Sequence, residues 1–228
     1  MSTDKDTTTQ MFEVGAHYGF SRARRHPSMR DFVYGTKNGT DIIDLSKTAE
    51  KLEAAKEYIK TFAQGEKKIL FVGTKAESKR VMKEAALSIG MSYVTDRWVG
   101  GALTNFSEIK KRIARLKSIR EMQESGDIKK YTKKEQLMIQ READKLVYYF
   151  GGIEDMGRVP DLMVVVDPRH EHIAVTEAQR TNTPIISLAS TDCNVKEIQF
   201  PIPGNDGAIM SVKYFIDELV EAYKEARA

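Results

Sequence analysis

A single cysteine, Cys193, stands among 228 residues. No internal disulfide can form, so the chain reads as a protein of a reducing compartment, the cytoplasm by default. No apolar run approaches the roughly 18 residues that a membrane span needs. The first ten residues, MSTDKDTTTQ, are polar and carry acids. They lack the apolar centre of a signal peptide, and residues 1–12 read as a flexible tail. Neither G-x-G-x-x-G nor G-x-x-x-x-G-K-[ST] occurs, so the common nucleotide-binding fingerprints are missing. Internal repeats and low-complexity stretches are missing too.

Charge is present in quantity but unevenly distributed. Lys and Arg exceed Asp and Glu by only three overall. From residue 151 onward there are 7 basic and 13 acidic residues, a balance of −6, so the first 150 residues carry +9. Such asymmetry points to one face built for a polyanion. The plainer reading is uneven but solvated charge.

The hydrophobic pattern predicts an α/β protein. FVYGTKNGTDIID (32–44) reads as two strands around Asn38-Gly39, which supplies the positive φ angles of a tight turn. Leu52, Ala55, Ile59 and Phe62 follow a helical spacing that ends at Gly65. KKILFVG is a buried strand, Ala76 to Ile89 a helix, and MSYV a short strand: the strand–helix–strand unit of a parallel sheet. PDLMVVVDP and TPIISLA are further strands around a helix over 170–180. A last helix, capped by Asn205 or Asp206, turns Ile209, Val212, Ile216, Leu219 and Tyr223 inward.

That rhythm breaks between about 105 and 150. Phe106, Ile109, Ile113, Leu116, Ile119 and Met122 recur every three or four positions. Thr132 and Glu135 then have the form of a capping box, and Ile139, Ala143, Leu146 and Phe150 follow before Gly151-Gly152. Two amphipathic helices joined by a polar loop predict an antiparallel hairpin with arms of about 30 Å, inserted in a single α/β domain over 13–228. DRWVGGALTNF (96–106) leads into it. Trp98, the only tryptophan, is expected to anchor the exit from the sheet, Gly100 and Gly101 to allow a sharp turn, and Thr104 or Asn105 to cap the first arm.

Four stretches carry candidate chemistry. SRARRHPSMR holds Arg22, Arg24, Arg25, His26 and Arg30 with no acid, on what reads as a loop. Guanidinium groups pair bidentately with phosphate and stack on bases, which suits RNA. The hairpin region 105–150 has 12 basic and 7 acidic residues, net +5, although a solvated helix face is normally charged. ILFVGTKAESKR places Gly73, Thr74 and Lys75 where α/β folds bind phosphates; Lys75, Lys79 and Arg80 fit either a small ligand or an RNA backbone. In DPRHEHIAV, His170 and His172 lie about 200° apart on a helix, a poor chelate. No catalytic set and no metal site emerge. The RNA-facing candidates are therefore Arg22, Arg24, Arg25, His26, Arg30, Lys37, Lys75, Lys79, Arg80, Arg97, Lys110, Lys111 and Arg115.

FEVGAHYGFSRARRHPSM, GTKNGTDIIDLSKT, KKILFVGTKAES, DRWVGGALTNF, GGIEDMGRVPDLMVVVDPRHEHIAVTEA and FPIPGNDGAIMSV together resemble the bacterial small-subunit ribosomal protein S2 family, from about Glu13 to the last helix. The resemblance implies a three-layer α/β/α, Rossmann-like parallel sheet bearing a coiled-coil hairpin. It implies a non-enzymatic protein without cofactor, bound to ribosomal RNA between head and body of the small subunit. Its expected partners are neighbouring ribosomal proteins, including the large flexible ribosomal protein S-one, and no membrane or small-molecule substrate. Signature segments of the family map near residues 12–29 and 155–176. Phe20, Ser190 and Val195 depart from the family pattern, which has His, Asp and Pro there. Two competing expectations remain: an enzyme holding a phosphorylated ligand at Gly73-Thr74-Lys75, and an adaptor whose hairpin binds other helices.

Overall fold

The computed structural model describes residues 3–65 and 67–227. Residues Thr3–Glu13 form helix α1, which fixes Met11 fully buried in the main core. For the described residues 3–12 this corrects the reading of residues 1–12 as a flexible tail: Met11 docks the helix, while residues 1 and 2 lie outside the described residues. Three short strands follow, β1 (Tyr18–Ser21), β2 (Val33–Lys37) and β3 (Thr40–Ile43), in an antiparallel sheet of order β1-β3-β2. The turn between β2 and β3 is the one expected, with Asn38 and Gly39 at φ 50° and 77°. Asp44 caps helix α2 (Leu45–Lys60) by accepting from the Ser46 amide. The helix ends before Phe62, which is buried in the next turn.

The main sheet contains β4 (Ile69–Val72), β5 (Ser92–Val94), β6 (Leu162–Val166), β7 (Ile185–Ala189) and β8 (Phe200–Pro203), all parallel, in the order β5-β4-β6-β7-β8. β8 carries Pro201 and Pro203, which is tolerable because it is an edge strand with one neighbour. The helices are α3 (Ala76–Ser88), α4 (Phe106–Glu124), α5 (Lys133–Phe150), α6 (His172–Arg180) and α7 (Ile209–Arg227). Successive strand residues face opposite sides. Ile69, Phe71, Leu162, Val164, Ile186 and Leu188 therefore pack under α2, α3 and α7. Leu70, Val72, Met163, Val165 and Ile185 pack on the other side with α6 and the hairpin. That is the expected three-layer α/β/α arrangement.

The hairpin of α4 and α5 is not a loose appendage. Phe106, Ile109, Ile113, Leu116, Ala143, Leu146 and Phe150 join the same buried cluster as the sheet's second face. At its return to the sheet, a Cβ on Gly152 would lie 2.1 Å from the Tyr93 carbonyl oxygen, so only glycine fits there.

Candidate nucleic-acid interface

The base of the hairpin is organised by a residue the sequence reading missed. Glu177, on α6 and 5 % exposed, accepts hydrogen bonds from Trp98 Nε1 (3.0 Å) and the amides of Gly101 (2.8 Å), Leu103 (2.9 Å) and Thr104 (3.2 Å), with Thr104 Oγ1 at 3.2 Å. Burial alone would raise its pKa, yet these donors hold it below the ordinary value. The available signal was an acid set among Ala174, Val175 and Ala178 on the buried face of α6. Trp98 is buried, as expected of an anchor. Gly101 has φ 89°, but Gly100 has open space where a Cβ would sit and no positive φ, so only one of the two glycines is needed for the turn. Asn105 occupies the cap position of α4 without a side-chain cap bond, and the Thr104 hydroxyl goes to Glu177 instead. The expected side-chain cap is thus absent, and Glu177 instead holds the turn that precedes α4. At the other arm, Thr132 and Glu135 form the capping box.

The arginine segment runs from β1 through two 3-10 turns, Arg22–Arg24 and Pro27–Phe32. It docks on the loop after β7: the Phe20 amide donates to Thr191 Oγ1 (2.8 Å) and the His26 amide to the Thr191 carbonyl (2.8 Å). Arg24 lies 4.2 Å over the Phe20 ring and pairs with Asp192 (3.1 Å), which also takes Arg169 (2.7 Å). Arg25 pairs with the fully buried Asp41 (3.4 Å). His26 Nδ1 accepts from the Ser28 amide. Two of the four arginines therefore hold the segment to the fold, while Arg22 and Arg30 are exposed with no acid partner among the described residues. Arg24, Arg25, His26, Pro168, Arg169 and His172 line an adjoining cleft of about 380 Å³. Ser190 and Val195 are buried, Val195 packing with Met29, Ala189 and Cys193.

Between the ends of β4 and β6 the strand order reverses, the crevice where open α/β sheets bind ligands. Here the protein fills it with its own groups. Glu171 Oε1 accepts from the Thr74 amide (2.8 Å) and hydroxyl (2.6 Å), standing where a phosphate would meet the start of α3. Lys75 pairs with Asp167 (2.7 Å) and Asp206 (3.6 Å). A Cβ on Gly73 would lie 2.8 Å from Ser78 Oγ and 2.9 Å from Met82 Cγ, so the strand and helix already touch. Asp167 has φ 59° and accepts from the amides of Arg169 and His170. Asp167, Cys193 and Asp206 offer ligand atoms within 4.8 Å of one another, but the Lys75 ammonium supplies the positive charge. Burial opposes every charge here. The bond to Lys75 still lowers Asp167, the two acids still raise Lys75, and Asp206, lacking a hydrogen bond, is pushed up to about 7 by burial and the Asp167 charge. Burial likewise pushes the Cys193 thiol far up. Lys75, read from sequence as facing RNA, is thus an internal counter-charge.

The remaining cations divide. Lys79 pairs with Asp96 (3.3 Å), Arg80 with Glu84 (3.7 Å) and Lys111 with Glu108 (2.6 Å). Arg115 makes a two-pronged bond to Glu142 across the hairpin (3.0 and 2.9 Å), and Lys110 lies 5.3 Å over the Phe106 ring. Lys37, at the β2–β3 turn, and Arg97, beside Trp98, are exposed without an acid partner among the described residues. The unneutralised cations thus include Arg22 and Arg30 on the N-terminal segment, Lys37 at the β2–β3 turn and Arg97 at the hairpin base. Compared with known families, the chain matches the family described as ribosomal protein S2 over residues 11–226.

Proposed function

The chain belongs to the ribosomal protein S2 family, and from that premise we propose that its unneutralised arginines and lysines bind small-subunit ribosomal RNA between head and body. Members of this family are structural constituents of the small ribosomal subunit in the cytoplasm and associate with its RNA and proteins; they are not enzymes. The observation that carries the RNA reading is the distribution of unpaired charge. Arg22, Arg30, Lys37 and Arg97 have no acid partner among the described residues, and they lie in the first 150 residues, whose net charge is +9. Phosphate oxygens are the counter-charge such a surface lacks.

The filled crevice supports the same reading against an enzyme at Gly73-Thr74-Lys75. A nucleotide would have to displace Glu171 from Thr74 and break the Lys75–Asp167 pair. Surface away from these unneutralised cations is left for protein neighbours, and docking of ribosomal protein S-one is assigned there. The test is incorporation into small subunits lacking this protein. Arg22→Glu/Arg30→Glu should reduce incorporation at least tenfold while the unfolding transition stays unchanged. Undiminished incorporation would remove the arginine segment from the interface. Arg24 and Arg25 are left intact because they neutralise Asp192 and Asp41, and reversing them would strand a buried charge.

A further inference from the structure

Where α5 returns to the sheet, a cleft of about 590 Å³ opens beside the Trp98 anchor. Its buried lining is apolar: Trp98, Leu146 and Phe150. Trp98 has already donated its Nε1 proton to Glu177, so it offers the cleft only ring surface. Tyr149, half-buried, adds a second aromatic face. Arg97, Arg112 and Lys145 are exposed at the same cleft, and none has an ion-pair partner among the described residues. The one lining acid, Glu142, is engaged by both prongs of Arg115.

We propose that this cleft holds one unstacked nucleotide of single-stranded RNA, its base against Tyr149 and its flanking phosphates on Arg97, Arg112 and Lys145. The inference rests on the RNA reading above and specifies what this part of the surface takes. Two features select the occupant. Three free cations around an apolar, aromatic floor ask for an anion with a flat apolar body, which a nucleotide is and a bare phosphate is not. A duplex keeps its base faces stacked inside, so it can meet the cations but cannot fill the floor. An acidic protein segment would satisfy the charge and leave the aromatic face to side chains of any shape. The volume lies within the range of about 300–1,000 Å³ typical of small-ligand sites. The cleft on the other side of Tyr149 lacks this character, because Asp96 and Asp144 stand among its cations.

The test uses the full chain and its only tryptophan as reporter. A ten-nucleotide adenylate strand is titrated against Trp98 fluorescence, and affinity is compared with that for a blunt RNA duplex of equal length. The strand should quench Trp98. Tyr149→Leu should weaken strand binding about tenfold and duplex binding less than twofold, because stacking is worth about 1–3 kcal/mol per base. Retained duplex affinity shows that the variant is folded. Arg112→Gln, on an exposed helix face, should weaken strand binding and lower the salt slope by about 0.7. An unquenched Trp98, or variants that bind the strand as tightly as the unaltered chain, overturns the inference. If neither RNA binds, the broader RNA reading falls with it; if RNA binds and only Arg22 and Arg30 variants weaken, that reading stands and the cleft assignment is wrong. Variants that keep strand affinity but lose incorporation into small subunits assign the cleft to a protein segment, which also overturns it.

Discussion

Two concavities flank the same sheet and differ in who supplies the counter-charge. The crevice between β4 and β6 stands where this class of fold places its ligands, yet Lys75 faces Asp167 and Asp206, and Glu171 takes the Thr74 donors. The cleft at the hairpin base has its acid neutralised from within and leaves Arg97, Arg112 and Lys145 open. One site is closed by the protein on itself, and the other leaves its three cations without an ion-pair partner among the described residues. Position in the fold therefore says less about function than charge balance does.

The sharpest way to break this contrast is at Glu177, which supports the open site. Glu177→Ala strands the Trp98 indole and three backbone amides in a buried place and should cost about 4 kcal/mol. The denaturant midpoint and the Trp98 emission maximum both report it. A loss below about 1 kcal/mol would show that apolar packing alone holds the socket.

The closed site is tested by pH. Asp206 is raised from 3.8 to about 7 in the fold, so its contribution is fully present below 3.8 and is lost as pH rises to about 7. Asp167 runs the other way: its pKa is lowered, and its contribution is lost as the solution becomes more acidic. Asp206→Asn should remove the decline of stability between pH 4 and 7 while leaving the acid-side loss. A pH profile unchanged by the substitution would mean that Asp206 is ionised throughout, fully compensated by Lys75.

The smallest effects distinguish the two ends of the hairpin. Thr132→Ala breaks a capping box and should cost about 1 kcal/mol. Asn105→Ala should cost less than about 0.5 kcal/mol, because its side chain caps nothing. Equal losses at both positions, read from thermal unfolding, would erase the difference between a helix start with a side-chain cap and one without.

Much of this architecture was legible in the sequence, for a physical reason. Short continuous apolar runs such as ILFV and LMVVV can only be buried strands or short buried helices, and their length, β-branched residues and glycine or proline boundaries decide between these. The hairpin was equally plain, since a seam of period three to four leaves few alternatives and Thr132 with Glu135 marks the second start. The N-terminal helix was not legible, because its polar residues give no seam and Met11 alone gains its value from tertiary burial. The site was harder. Arg24, Arg25 and Lys75 look in sequence like free cations, and only folding brings Asp192, Asp41 and Asp206 to them from up to 168 residues away. Glu177 was invisible for the same reason: its partners lie more than 70 residues earlier.

The central claim is that exposed, unpaired cations of this chain contact RNA phosphates. Its most direct test is the salt dependence of affinity for small-subunit ribosomal RNA, measured for the unaltered chain and for Arg22→Gln/Arg30→Gln/Arg97→Gln. If all three make contact, the slope of log affinity against log salt should fall in magnitude by about 2–3 in total, at roughly 0.7–0.9 for each lost phosphate contact. The paired cations supply the control: Lys79→Gln, which removes a partner of Asp96, should leave the slope unchanged. An identical slope in the unaltered chain and the triple variant would contradict the account.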